Sequence, residues 1–133
     1  MIVLDASAMI EIIIGESRAM ELAAVASFAS RWIVPEHFAI EVTSGLRGAW
    51  LGGRINRPGF AAAIDRLTTF RTVTWPVGSL LPRIVELAPN ATPYDAAYVA
   101  LAERLDAPLV TVDEKLARIP GVRCRFLPDP ATV

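Results

Sequence analysis

Two aspartates that each follow a short apolar run are the residues of this sequence best placed to do chemistry. Asp5 follows Met1-Ile2-Val3-Leu4, and Asp113 follows Leu109-Val110-Thr111-Val112. Such runs are typical of strands buried on both faces of a parallel sheet, and ligand sites form outside the carboxyl ends of these strands. Because neighbouring strands lie roughly 4.8 Å apart, adjacent strands would bring both carboxylates to one crevice.

A third aspartate, Asp95, lies in the first turn of a predicted helix. Thr92 is a suitable amino-terminal cap, and Pro93 is tolerated at the first helical position. Apolar residues then recur at three- and four-residue steps and predict an amphipathic helix that ends before Pro108. Its apolar face consists of Tyr94, Ala97, Tyr98, Leu101 and Leu105. We expect the start of this helix to bring Asp95 close to the crevice of the other two aspartates.

The predicted proximity of the aspartates suggests a metal site, because close like charges raise one another's pKa and destabilise a fold that has no cation between them. Carboxylate oxygens are the ligands that Mg²⁺ and Mn²⁺ prefer, and Mg²⁺ commonly bridges one or two carboxylates to substrate phosphates. A bound ion lowers the pKa of a water and can orient it towards a phosphodiester. Such a site would hydrolyse a phosphodiester.

Each aspartate also has a purely structural interpretation, which the sequence leaves open. Asp5 and Asp113 could each cap the helix that follows its strand. Asp95 could close a capping box with Thr92. Ser7 has two interpretations as well, as a cap of the first helix or as a hydroxyl that orients Asp5.

A fourth acid, Glu41, lies at the border of the apolar stripe of a helix predicted at 36–50. Glutamates are seldom buried, so a solvated position is the ordinary interpretation. Gly45 and Gly48 lie beside it, however, and would leave space for something to approach its carboxylate.

Other catalytic chemistries lack the residues they need. The chain has one histidine, His37, and one cysteine, Cys124, so a zinc site has too few ligands. A Ser-His-Asp triad would have to use His37 as its base, and the sequence contains no Gly-x-Ser-x-Gly elbow. No glycine-rich loop follows the first strand, which excludes a P-loop and a dinucleotide fingerprint. The net charge of −1 gives no overall attraction to nucleic acid, so carboxylate chemistry remains.

Alternating strands and helices are predicted to position these acids. Further strands are expected at 32–34 and 72–75, with an edge strand at 122–127. Further helices are expected at 6–15, 16–30, 58–70, 79–88 and 113–118. In the helix at 16–30, the apolar residues Met20, Ala23, Ala24 and Phe28 share a face. The pattern predicts an α/β protein, a three-layer α/β/α sandwich on a mainly parallel sheet, with one domain over residues 1–133.

The hydrophobic share of 53% lies at or above the upper end of the globular range and suggests that a partner covers some helical surface. No stretch approaches the ~18 uninterrupted apolar residues of a membrane span. A strand pattern begins at the amino terminus and leaves no room for a signal peptide, so we expect a cytoplasmic protein.

Four segments together carry a family resemblance. They are Ile2-Val3-Leu4-Asp5-Ala6-Ser7, Glu41-Val42, Thr92-Pro93-Tyr94-Asp95-Ala96-Ala97-Tyr98-Val99-Ala100-Leu101-Ala102 and Thr111-Val112-Asp113. In this combination the chain resembles the PIN-domain family and, within it, the VapC-type ribonuclease toxins of bacterial type II toxin–antitoxin pairs. The segment around Asp95 is the most specific of the four, and the element order agrees over nearly the whole chain.

The resemblance implies a Mg²⁺- or Mn²⁺-dependent ribonuclease with an acidic quartet. Asp5, Asp95 and Asp113 would be the metal ligands, and Glu41 would assist directly or through a water. Ser7 and Thr111 stand where such proteins often have a supporting hydroxyl. The resemblance further implies a homodimer that acts on RNA. It also implies a small antitoxin that binds in a groove of the amino-terminal helices and blocks the acidic site.

Two alternatives to a ribonuclease toxin remain open at this point. One is a catalytically silent PIN-like module that only binds a partner or RNA, although intact acids argue against it. The other is a phosphoacceptor signalling domain, which needs a lysine near its acidic pocket. The only lysine of this chain is Lys115, two residues after Asp113.

Overall fold

A five-stranded parallel sheet forms the centre of the fold in the residues that the computed structural model describes, 1–15 and 18–129. Its strands are β1 (Ile2–Leu4), β2 (Trp32–Pro35), β3 (Val73–Trp75), β4 (Leu109–Val110) and β5 (Phe126–Leu127). They lie in the order β3-β2-β1-β4-β5, and every pairing is parallel. The predicted sheet is therefore confirmed, and β5 occupies the edge expected for the last strand.

Helices cover both faces of this sheet. In the described part of the chain they are α1 (Ala6–Ile14), α2 (Ala19–Ser27), α3 (Phe38–Leu51), α4 (Arg57–Leu67), α5 (Leu81–Leu87), α6 (Pro93–Leu105) and α7 (Glu114–Ala117). Helix α1 packs against α2, α3 and α4, whereas α6 packs against α5 and the central strands. The chain moves outward from β1 to β3 and then returns to β4, so right-handed crossovers place these two groups on opposite faces. This is the predicted three-layer α/β/α architecture.

The strand order changes direction beside β1, which is the point where open α/β sheets form ligand crevices. Val3 is paired with Leu109 and Leu4 with Val110. The backbone N–H of Asp5 then donates to the carbonyl of Val110 at 2.9 Å. The carboxyl ends of β1 and β4 are thus neighbours, as the sequence predicted.

Helix α6 was predicted to be amphipathic, but this prediction is wrong, because the helix is buried on all sides at its centre. Each residue from 96 to 102 is 2% exposed or less. Small alanines at 96, 97, 100 and 102 let neighbouring elements approach this helix all round. Tyr94, which was predicted on the buried face, is 62% exposed because it lies in the first turn of the helix.

The apolar face predicted for the second helix points outward. Met20 is 82% exposed and Phe28 is 91% exposed, whereas Leu22 and Ala26 are fully buried. An alanine-rich helix has apolar residues on more than one face. The spacing of apolar residues therefore predicted the wrong face as the buried one. The predicted start of this helix, residues 16 and 17, lies outside the described residues.

Two predicted strands are shorter in the structure. Only Leu109–Val110 of 109–112 and Phe126–Leu127 of 122–127 are strand. Thr111 follows the last residue of β4, and its backbone N–H still donates to the carbonyl of Leu127 at 3.1 Å, while its hydroxyl bonds to Asp5 at the end of β1. Arg83 and Glu103 bind the backbone of Gly121 and Arg123, at 2.7 and 2.8 Å, and this draws the segment before β5 away from the sheet. In the ranges 1–15 and 18–129, no helix combines the length and apolarity needed to cross a membrane.

Candidate active site

Asp5 lies at the carboxyl end of β1 and is only 5% exposed. It occupies the amino-terminal cap position of α1, but its side chain makes no capping hydrogen bond. Instead, its Oδ2 accepts hydrogen bonds from Ser7 Oγ and, at 2.7 Å, from Thr111 Oγ1. These hydroxyls in turn accept from the N–H groups of Val112, at 3.3 Å, and Asp113, at 3.0 Å. The capping interpretation of Asp5 is therefore wrong, and Ser7 orients Asp5.

The environment of Asp5 disfavours its charged form. Burial raises the pKa of Asp5 to about 6, the hydroxyls of Ser7 and Thr111 counteract this, and the charges of Glu41 and Asp95 raise it further. The carboxyl group is thus held in place by two donors while the nearby charges of Glu41 and Asp95 are negative. In the metal-free protein an ionised Asp5 is costly at neutral pH.

Glu41, in the first turn of α3, is half-buried rather than fully solvated. Its Oε1 accepts a 2.7 Å hydrogen bond from the hydroxyl of Tyr98. Burial raises the pKa of Glu41, the Tyr98 hydrogen bond counteracts this, and the charge of Asp95 adds to the increase. Gly45 does not leave space beside it as predicted, since a Cβ there would lie 2.2 Å from Ile10 Cδ1. Of these two glycines, Gly48 is the one that faces open space.

Asp95 lies in the first turn of α6, and Thr92 caps this helix as predicted. The Thr92 hydroxyl accepts from the backbone N–H of Asp95 at 3.2 Å, a bond that any residue type could donate. Burial and the charge of Asp113 raise the pKa of Asp95, while Thr92, Lys115 and His37 counteract the increase. The Thr92 side chain also hydrogen-bonds the carboxyl group of Asp95, so Asp95 has a structural role at the helix start beside its charge interaction with Asp113.

Asp113 is the acid whose capping interpretation the structure supports. Its Oδ1 accepts from the N–H of Lys115 at 3.0 Å and so caps α7. The residue is nevertheless part of the same edge of the sheet, because its own N–H bonds to Thr111. Asp113 also lines a small cavity together with Arg18 and Glu114.

The four predicted acids are thus linked to one another by charge. Asp5 responds to Glu41 and Asp95, and Asp95 responds to Asp113. Among residues 1–15 and 18–129, however, no three acidic, histidine or cysteine side chains lie close enough to form a ready-made metal cluster. The donors available are carboxylate and hydroxyl oxygens, which suit Mg²⁺ and Mn²⁺. Because Mg²⁺ keeps several waters and takes only one or two carboxylates directly, this open arrangement fits a hydrated ion better than an all-protein cage.

Two aromatic residues support the site in a way that was not predicted from the sequence. Tyr98 was assigned only to an apolar face, yet its hydroxyl binds Glu41. The ring of His37 packs edge-on against Tyr98 and Tyr94, with centroid distances of 5.3 and 5.6 Å. The sequence did contain a feature that could have predicted this contact. A tyrosine in a buried position needs a polar partner for its hydroxyl.

Comparison with known proteins identifies the family. The PIN domain model matches residues 2–122. Ribonuclease VapC9 of Mycobacterium tuberculosis is 36% identical over 124 residues, which cover 93% of this chain and 94% of that protein. The chain belongs to the VapC group of the PIN-domain family. The family resemblance read from the sequence is therefore confirmed.

Other VapC proteins are similar to this PIN-domain chain in sequence or in fold. Ribonuclease VapC1 of M. tuberculosis is 40% identical over 96 residues, or 69% of this chain and 70% of that protein. The crystal structure of M. tuberculosis VapC20, described as a sarcin-ricin loop cleaving toxin, has a TM-score of 0.66 at 16% identity and covers 94% and 99% of the two chains. VapBC2 of Rickettsia felis, bound to a DNA fragment from its promoter, has a TM-score of 0.65 at 14% identity, with 95% and 98% covered. At these identities the solved structures establish the shared PIN fold.

Proposed function

We propose that this protein is a Mg²⁺- or Mn²⁺-dependent endoribonuclease, the toxin of a toxin–antitoxin pair. The observation that carries the proposal is the set of acids at the carboxyl edge of the sheet, where the buried Asp5 responds to the charges of Glu41 and Asp95. The 36% identity to a ribonuclease over nearly the full length supports the same reaction. RNA phosphodiester bonds are the proposed substrate.

Asp5, Asp95 and Asp113 are the proposed metal ligands. In the described part of the chain, the hydroxyl bonds to Asp5 go to Oδ2, so Oδ1 is the oxygen that would face an ion. Negative charges of neighbouring acids raise the pKa of Asp5 and the pKa of Asp95, and a cation would relieve that repulsion. A bound Mg²⁺ or Mn²⁺ supplies a water of lowered pKa and neutralises charge on the phosphate.

Glu41 is the proposed assistant to this reaction. One of its oxygens is engaged by Tyr98, which leaves Oε2 to orient an attacking water or to accept its proton. Its raised pKa brings it closer to the range in which a carboxylate exchanges protons at neutral pH. The exposed side chain of Lys115, which acts on Asp95, is suited to hold an RNA phosphate next to the acids.

Cleavage of a labelled RNA tests the proposal directly. We expect the full-length protein to cut RNA with Mn²⁺ and to stop in chelator. Asp5→Asn and Asp95→Asn should fold and remain inactive, whereas Asp65→Asn, at an exposed position on α4, should cut like the parent. Manganese-dependent RNA binding without cleavage by the parent would identify the silent binding module instead. Transfer of a phosphoryl group from a small phosphodonor to the protein would indicate a phosphoacceptor domain.

A small antitoxin is the proposed protein partner, and the amino-terminal helices are its proposed site. Met20 on α2 and Phe28, the residue that follows this helix, expose large apolar side chains, and α2 packs against α1. Exposed apolar surface of this kind is typical of a protein interface. The antitoxin would extend from this surface to the acids and block them. We also propose a cytoplasmic homodimer, and sedimentation equilibrium of the purified chain would test the dimer.

A further inference from the structure

The phenol of Tyr98 is a buried polar group at the centre of the proposed ribonuclease site. The side chain is fully buried, and its hydroxyl donates to Glu41 Oε1 at 2.7 Å. The backbone N–H of Ala6 acts on the same phenol oxygen from the β1–α1 turn. One oxygen thus connects the residue that follows Asp5 with Glu41 on α3.

The surroundings of Tyr98 fix the position of its hydroxyl. The side chain of Tyr98 is itself 0% exposed, so its ring is enclosed by protein on all sides. The ring of His37 packs edge-on against it, and His37 is itself tied to the backbone of Tyr94. The phenol oxygen is therefore a rigid reference point between α3 and α6.

Glu41, in contrast, has freedom that this contact removes. The residue is half-buried, so its carboxylate has solvent-facing rotamers available. A glutamate held in one rotamer loses side-chain entropy, and a charged hydrogen bond to a fixed donor offsets that loss. Without the phenol, the carboxylate would turn towards water and away from the other acids.

We propose that Tyr98 is a positioning residue of the nuclease site: its phenol holds Glu41 Oε1, so that Oε2 points towards Asp5 and Asp95. The inference rests on the proposed function, because it assigns Glu41 a part in metal-dependent cleavage. Tyr98 contacts neither RNA nor metal in this role. It acts through Glu41 alone.

The two tyrosines of the chain provide a matched pair for the test. Tyr98→Phe removes only the hydroxyl that binds Glu41, and Tyr94→Phe removes an exposed hydroxyl one turn earlier. Loss of a residue that orients a metal site typically weakens metal binding or activity ~10- to 100-fold. We expect Tyr98→Phe to weaken Mn²⁺ binding, measured by calorimetry, about 10-fold, and Tyr94→Phe to bind like the parent.

Two further readouts separate positioning from general stabilisation. In a Glu41→Gln background, Tyr98→Phe should cause no additional loss of Mn²⁺ affinity, because the two residues act as one unit. In Tyr94→Phe protein, where Tyr98 is the remaining tyrosine, Mn²⁺ should perturb the tyrosine absorption band. That perturbation should disappear when Glu41 is changed to Gln.

If Tyr98→Phe does not fold, a variant outside the core can test the same contact. Glu41→Asp withdraws the carboxylate from the phenol, and we expect a similar loss of Mn²⁺ affinity. Parent-like Mn²⁺ affinity in a folded Tyr98→Phe or in Glu41→Asp would overturn the positioning role. If Glu41→Gln binds Mn²⁺ and cuts RNA like the parent, the role of Glu41 in the proposed function fails. Impairment of Glu41→Gln without impairment of Tyr98→Phe would refute this inference alone.

Discussion

The Thr111 hydroxyl donates a 2.7 Å hydrogen bond to Asp5 Oδ2 and so joins two residues that are 106 positions apart. The same hydroxyl accepts from the N–H of Asp113 at 3.0 Å. One side chain therefore connects the carboxyl end of β1 to the turn that carries Asp113. The relative position of these two acids depends on this hydroxyl as well as on the strand pairing.

Replacement of Thr111 by valine should destabilise the charged form of Asp5. The variant keeps the shape of the side chain but removes a buried donor, which typically costs about 1–3 kcal/mol. In chelator we expect this loss of unfolding free energy above the Asp5 pKa of about 6 and a smaller loss well below it. Urea unfolding at both pH values measures it, with Thr74→Val on the exposed edge strand as control. Equal losses at both pH values would contradict the assigned role.

The raised pKa of Asp5 predicts how metal-free stability depends on pH. The folded protein binds this proton with a pKa of about 6, against an ordinary 3.8, so the native state holds more protons between these values. Stability should therefore fall as pH rises through this window, by roughly 3 kcal/mol in total. Asp5→Asn should remove the part of this slope that Asp5 contributes and melt higher than the parent above the window in chelator. A lower melting temperature for Asp5→Asn there would mean that the ionised carboxylate stabilises the fold.

Arg83 should contribute to stability without affecting metal binding. It donates to Glu103 at 2.8 and 3.2 Å and to the carbonyl of Gly121 at 2.7 Å. Both partners of the ion pair are mostly buried, so we expect Arg83→Met to lower the unfolding free energy by about 1–3 kcal/mol. Arg118→Met is the control, because its pair with Glu114 is exposed and should contribute under about 1 kcal/mol. Equal losses of unfolding free energy in Arg83→Met and Arg118→Met would contradict this account.

The exposed face of α2 should bind the proposed antitoxin. Replacement of both Met20 and Phe28 by glutamine removes apolar surface without disturbing the core, because these side chains are 82% and 91% exposed. We expect at least a 10-fold weaker complex with the proposed antitoxin, with folding and RNA cleavage unchanged. Calorimetric titration measures the affinity, and Val85→Gln on α5 controls for loss of an exposed apolar residue elsewhere. Full affinity in the double variant would place the antitoxin on another surface.

Much of the fold follows from local sequence patterns. The runs before Asp5 and Asp113, together with Thr92 and Pro108, predicted strand ends and helix limits because they act over a few residues. The parallel sheet then follows from the alternation of strands and helices. The adjacency of β1 and β4 could not be read from either strand alone, because it depends on the order of the strands in the sheet.

The features that were missed depend on contacts between distant elements. The alanine-rich sequence does not determine which face of α2 is buried, so Phe28 was not predicted to be exposed. Gly45 was expected to leave room beside Glu41, but Ile10 of α1 fills that space. The bond between Tyr98 and Glu41 joins two helices that are 57 positions apart, and no local pattern specifies it. Sequence predicted which acids to consider, and packing determines how each one is held.

A crystal of the protein soaked in Mn²⁺, with an anomalous difference map, tests the central claim most directly. We predict a peak bonded to Asp5 and Asp95 at roughly the 2.0–2.2 Å of a carboxylate–divalent metal bond, with Asp113 and Glu41 beside it. The peak should be absent from Asp95→Asn crystals soaked in the same way. A structure in which these acids point into separate regions of solvent, with manganese elsewhere, would contradict the account.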